Sequence, residues 1–190
     1  PQAKIISVGK QSHKEHSTPQ QSINEMLVTH ALAGKYVVRL KGGDISIFSN
    51  ILEELEAIKQ HHIPFELVPG VTAAIGTAAF AGVPLTARGI SRGVRFLTYY
   101  TQDAIADNEW QNLADSTDTL VFYMSGASCF TLVQMLMKFG KDAGTPIFLA
   151  EQATTPLQRF SLSTLHTCEH DWNNRAFLSP ALLIIGKVTP

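Results

Sequence analysis

The stretch Val37-Val38-Arg39-Leu40-Lys41-Gly42-Gly43-Asp44 constrains the fold more than any other part of the chain. Tyr36 to Leu40 has the β-branched and aromatic content of a buried strand. Gly42 and Gly43 end it. Without a Cβ they let the backbone turn through φ > 0 and let another molecule approach the main chain closely. In an open α/β sheet, ligands bind just past the carboxyl ends of strands, and Asp44 stands at such a place. Its carboxylate can accept hydrogen bonds from hydroxyl or amine groups of a ligand. It can equally close a tight turn and cap a following helix.

The flanking residues extend the same pattern. Ile5 to Val8 reads as a short strand. Thr18, Pro19 and Gln21 read as N-cap, first helical residue and capping-box partner of a helix. Ile23, Met26, Leu27, His30 and Ala31 follow at helical spacing, and Gly34 stops them. Residues 49–60 form a second helical pattern, with Ile51, Leu52, Leu55 and Ile58 on one face and Glu53, Glu54, Glu56 and Lys59 off it. Phe65 to Val68 is a strand pattern, Pro69-Gly70 a turn, and residues 71–80 a helix of small side chains. Alternating strands and helices predict a parallel sheet with right-handed crossovers.

The segment from Gly82 to Gly89 breaks that alternation. We read Leu85–Arg88 as a connection between two α/β domains, residues 1–88 and 89–190. In the second, strand patterns cover residues 94–99, 119–124, 146–150, 159–164 and 181–186. A short helix is expected near Trp110, and another over residues 130–139 with Gly140 at its end.

Composition narrows the function. The 190 residues carry a net charge of −1, with no basic excess to bind nucleic acid. There is no apolar run long enough to cross a bilayer and no signal peptide, so a cytoplasmic protein is expected. Cys129 and Cys168 lack metal-ligand spacing and are expected as reduced thiols. His13, His16, His61 and His62 read as solvated loop histidines, and no metal site is expected. Pro1 opens almost directly into a strand pattern, which reads as a fragment of a longer chain.

Several stretches, in order, resemble the tetrapyrrole methylases, and most of all the uroporphyrinogen-III C-methyltransferases, including the methylase half of sirohaem synthase. They are Val8-Gly9-Lys10, Thr18-Pro19-Gln20, Val37 to Asp44, Ile63-Pro64-Phe65 and Val68-Pro69-Gly70-Val71-Thr72-Ala73. Ala81 to Thr86, Thr119-Leu120-Val121-Phe122-Tyr123-Met124, Thr154-Thr155-Pro156 and Ser179 to Gly186 continue the series. The resemblance implies two α/β domains of the class III methyltransferase fold, a parallel-sheet domain followed by a mixed-sheet domain. It implies S-adenosylmethionine as cofactor, with S-adenosylhomocysteine as product. Carried over by position, cofactor contacts would be Gly42, Gly43, Asp44, Ile47, Thr72, Ala73, Met124 and Ala153, and Lys10 would be the catalytic proton donor. The implied reaction is methylation of uroporphyrinogen III to precorrin-2 for sirohaem or cobalamin synthesis. The implied partners are the tetrapyrrole and a second copy in a homodimer.

The departures from that family lie in particular places. Its first strand and Gly-Pro-Gly-Asp loop would precede Pro1. Its Lys-Arg loop is Lys10-Gln11-Ser12-His13 here, and its Pro-Phe segment after the Asp is Ile45-Ser46-Ile47-Phe48. His-Arg-Asp is replaced by Ala87-Arg88-Gly89, and a Gly near the adenosine by Ala153. The cofactor framework is thus better kept than the substrate-facing loops. Two other readings stay open: a methylase of the same fold with another acceptor, and a truncated, non-catalytic binding protein.

Overall fold

The computed structural model describes residues 3–9, 18–99, 105–173 and 175–189. The chain divides into two compact units, residues 1–72 and 73–190.

The first unit is built on two packed helices, α1 (Gln20–Leu32) and α2 (Ile51–Gln60). Ile23 and Leu27, four apart on one face, are the buried residues of α1. The helix begins one residue later than expected: Pro19 precedes it with ψ of 143°, and no side chain caps it. Its end is as expected. Gly34, at φ +72°, donates to the Ala31 carbonyl and Lys35 to that of His30, a Schellman closure. The end of α2 closes the same way, with His62 at φ +53° taking the left-handed position.

Two expectations for this unit are corrected. Glu54, assigned to the solvent face of α2, is 1% exposed, while Leu52, assigned to the apolar face, is exposed. The cause is charge pairing. Glu54 Oε1 accepts from Gln20 Nε2 at 3.2 Å, and it lies 3.3 Å from Arg39 Nε and 3.0 Å from Lys41 Nζ. Lys41 Nζ also donates to the Ser49 carbonyl at 2.6 Å. The ion pairs draw Glu54 toward residues 39–41 while Glu53 and Glu56 stay exposed, which a hydrophobic pattern does not reveal. Second, the strands expected at 5–8, 36–40 and 65–68 are not formed, and the first unit has no sheet among the described residues. Strand composition marks a segment that fits a half-buried pleated surface. A strand exists only where a ladder partner takes its N–H and C=O groups.

The second unit is organised around a five-stranded mixed sheet of order β1-β2-β5-β3-β4. The strands are β1 (Val94–Thr98), β2 (Thr119–Tyr123), β3 (Pro146–Glu151), β4 (Arg159–Thr164) and β5 (Ala181–Ile185). β1 and β2 are parallel and the other pairings antiparallel. Helices α3 (Ala73–Ala81), α4 (Asp107–Asp115), α5 (Cys129–Lys138) and the short α6 (Cys168–Trp172) complete it. Every residue of β2 is buried, as expected of a central strand covered on both faces. Leu120, Phe122, Ile147, Leu149, Leu183 and Ile185 alternate onto the face that packs with Trp110, Leu132 and Leu136. Both cysteines are buried free thiols in this core. Burial pushes the Cys168 thiol up to about 11. The sequence pattern did not reveal α6, whose five residues are too short to show a helical period.

The division at Thr72 falls ahead of the connection expected at Leu85–Arg88. Residues 87–91 are a tight antiparallel turn inside the second unit, closed by mutual hydrogen bonds between Ala87 and Ser91. Helix α3 belongs to the second unit for a visible reason: the Ala74 N–H donates to the Tyr123 hydroxyl at 3.1 Å in a buried bond.

Candidate functional site

The expected site residues form one group on each unit. On the first, Gly42 and Gly43 lead directly into a turn over residues 44–47, closed by the Ile47 N–H donating to the Asp44 carbonyl at 3.3 Å. Gly42 and Gly43 are exposed. A Cβ at Gly42 would meet nothing within 4 Å, so its backbone is open to approach. Gly43 has φ of +73°, which a side chain would strain.

Asp44 is committed more deeply than its position in the sequence indicates. Oδ1 accepts from the Ser46 N–H at 2.7 Å and from the Ser46 hydroxyl. Oδ2 accepts from the Gly70 N–H at 2.8 Å. The Ser46 hydroxyl first, then the Gly70 and Ser46 amides, hold this carboxyl below its ordinary range. It therefore closes a turn and latches that turn to residue 70. It does not cap α2, whose preceding residue is Asn50 at φ +53°. A carboxylate has about four lone-pair sites, so among the described residues about one acceptor position remains beyond these three contacts.

Gly70 is the residue of this group that the sequence reading passed over as a turn glycine. A Cβ there would lie 2.2 Å from the Gly43 carbonyl oxygen, so the latch requires glycine. The signal was present in Val68-Pro69-Gly70, but only the fold shows that Gly70 abuts Gly43. Thr72 lies on the first unit and is buried.

On the second unit, Ala73 is exposed and opens α3. A helix leaves its first N–H groups without an intrahelical partner. One of them, that of Ala74, is instead donated to Tyr123. Met124 follows β2 with φ of +57° and is 48% exposed. Ala153 follows β3, between Gln152 at φ +45° and Thr154 at φ +66°. The ladder brings these two places to one end of the sheet. Tyr123 and Ala150 both pair with Leu182, from opposite sides of β5. Two strand spacings, about 10 Å, separate Tyr123 from Ala150 across β5. Residues in unusual backbone conformations collect at functional edges because the surrounding fold must impose them, and three of them collect here.

An apolar groove of about 590 Å³ in this unit, lined by Ile75, Ala78, Val83, Leu85 and Phe96, contains none of the expected site residues. Lys10, the expected proton donor, lies outside the described residues, as do His13 and His16. No cluster of His, Cys, Asp and Glu that would hold a metal occurs among the described residues. Nor is any helix among them long and apolar enough to cross a membrane.

Known proteins place this architecture. The chain is 45% identical over 183 residues to the siroheme synthase of Stutzerimonas stutzeri strain A1501, covering 96% of this chain and 39% of that protein. It is 44% identical over 186 residues to the siroheme synthase of Saccharophagus degradans strain 2-40, covering 98% and 40%. It thus spans about two fifths of the length of these relatives. Among solved structures, a uroporphyrin-III C-methyl transferase from Thermus thermophilus, complexed with S-adenyl homocysteine, superposes with a TM-score of 0.74 at 32% identity. That match covers 89% of this chain and 74% of the other. A cobalt precorrin-4 methyltransferase shares the fold, with a TM-score of 0.81 at 21% identity over 88% of this chain and 71% of that one. A family model for Tetrapyrrole (Corrin/Porphyrin) Methylases matches residues 3–168, and the chain belongs to that family.

Proposed function

We propose that this chain binds S-adenosylmethionine and carries the C-methylation of uroporphyrinogen III to precorrin-2, the methylase half of sirohaem synthesis. The observation that carries the reading is the Gly42-Gly43-Asp44 turn. Its backbone is open at Gly42, its carboxyl is held below the ordinary range, and among the described residues about one acceptor position is left. The 32% identity to a methyltransferase complexed with S-adenyl homocysteine supports it.

The residues present fit such a cofactor. Gly42 and Gly43 offer backbone groups to its amino-acid end, and the spare acceptor position of Asp44 meets a hydroxyl or amine. Ile47, Thr72, Ala73 and Met124 supply the remaining contacts, and Ala153 takes the adenosine side. When bound, the cofactor supplies a methyl group already activated as a sulfonium. The chain's part is to hold the acceptor carbon in line and to exclude water. Lys10 is assigned the proton managed on the macrocycle. A homodimer is proposed as the working form, tested by sedimentation at several concentrations.

Titration calorimetry of the 190-residue chain with S-adenosylhomocysteine tests the cofactor reading. Methyl transfer from labelled cofactor to uroporphyrinogen III tests the reaction. Asp44→Ala is expected to weaken binding about 10- to 150-fold, the loss of one hydrogen bond to a charged group. Because Asp44 also latches Gly70, this variant should melt at a lower temperature as well. Ser46→Ala loosens the turn while keeping the carboxylate, and it separates the two effects. Equal binding by Asp44→Ala would remove Asp44 from the site. The Ile45–Asn50 loop and Ala87-Arg88-Gly89 favour a second reading, in which the cofactor is the same and the acceptor another tetrapyrrole.

A further inference from the structure

Met124 occupies a left-handed conformation that a non-glycine residue holds only where its surroundings impose it. Both of its neighbours are anchored by buried polar bonds. Tyr123, the last residue of β2, pairs with Thr98 on one side and Leu182 on the other. Its ring meets Phe96 edge-on at 5.9 Å between centroids. Its hydroxyl accepts the Ala74 N–H at 3.1 Å. Ala74 is the second residue of α3, so the phenol takes an amide that the helix itself leaves unpaired. Ser125 is fully buried. Its hydroxyl lies 2.8 Å from the Tyr123 carbonyl and 3.2 Å from the Tyr99 carbonyl, and its single proton serves both. It thereby ties the chain leaving β1 to the chain leaving β2.

A core aromatic at position 123 would need no hydroxyl to fill its volume. Here the hydroxyl joins the end of a rigid central strand to the first turn of a helix 49 residues away in sequence. Between the two anchored residues, only Met124 extends into solvent.

We propose that Tyr123 and Ser125 are positioning residues. Together they hold the Met124 backbone in its left-handed conformation and register it against the start of α3, so that Met124 and Ala73 are presented as one surface. This rests on the reading of Met124 and Ala73 as cofactor contacts. The two residues touch the reaction only through Met124 and the α3 terminus.

The test is calorimetry with S-adenosylhomocysteine on the 190-residue chain, well below each variant's melting temperature. Tyr123→Phe removes one oxygen, orphans the Ala74 amide, and should weaken binding about 5- to 30-fold. Ser125→Ala should weaken it about 3- to 10-fold. Both effects should shrink in a Met124→Ala background, each second change adding clearly less than it does in wild type. A residue that merely stabilises the fold would lower the melting temperature without this coupling. If wild type binds and Tyr123→Phe binds equally well, the inference is overturned and the cofactor reading stands. Fully additive losses with Met124→Ala also overturn it. If wild type itself fails to bind, the cofactor reading fails and takes this inference with it.

Discussion

Val37–Leu40 and Leu120–Tyr123 both read as strands in the sequence and are opposites in environment. Leu40 is 83% exposed and Val38 72%, while Leu120 and Phe122 are both at 0%. The second stretch lies between β1 and β5, which take its backbone groups on both sides, and its side chains enter the core. The first has no ladder among the described residues, and a polar device organises it instead. Arg39 and Lys41 bind the buried Glu54, and the Gly42–Asp44 turn beyond them is latched to Gly70. The second unit therefore rests on apolar burial and strand pairing, and the described part of the first leans on a few specific charges and hydrogen bonds.

The largest expected effect separates the two directly. Phe122→Ala should destabilise the second unit by about 3–5 kcal/mol, from lost burial plus a residual cavity. Val38→Ala should stay within about 0.5 kcal/mol. Urea unfolding followed by a probe in each unit would show the asymmetry. Equal costs would mean that Val38 is covered in solution and that the comparison is wrong.

Glu54→Leu comes next. It leaves the Lys41 ammonium and the Arg39 guanidinium without their shared carboxylate, and breaking a buried pair in this way costs about 3 kcal/mol or more. The loss should appear in amide exchange of α1 and α2 while the sheet of the second unit keeps its protection. Uniform loss across both units would show that they do not unfold separately.

Gly70→Ala sharpens the role of the latch. With the new Cβ placed 2.2 Å from the Gly43 carbonyl, the backbone must shift, at about 1–3 kcal/mol. The Gly43 and Asp44 amide resonances should move together. An unchanged spectrum would mean that Gly70 and Gly43 are not in contact.

The smallest effect is a pH dependence. The carboxyl of Asp44 titrates below its ordinary range in the folded chain. The stability it adds is therefore fully present above the unfolded aspartate value and is lost as pH falls through the lowered folded one. The Gly70 amide shift should stay flat from neutral pH into the ordinary aspartate range and move only below it. A transition at or above that range would contradict the three hydrogen bonds drawn to this carboxylate.

Much of the second unit was legible in its residues. The strands, α5 and the Schellman end at Gly140 lie where the patterns placed them, because each segment's periodicity agrees with its environment. The Gly42-Gly43-Asp44 turn was legible for a local reason: φ > 0 and open backbone are properties of the glycines themselves. Glu54 was misread because a helical pattern ranks side chains by hydrophobicity, and a glutamate enters the interior only when cations elsewhere in the chain meet it.

Local chemistry in the sequence thus determined where helices stop, where the backbone turns, and which family the motifs resemble. Tertiary structure alone decided which strand-like segments become strands, since a ladder needs a partner that no segment contains. It also decided what Asp44, Gly70 and Tyr123 do. Each acts through a group 26 to 49 residues away, and a hydrogen bond across that separation is set by the path of the backbone rather than by its neighbours in sequence.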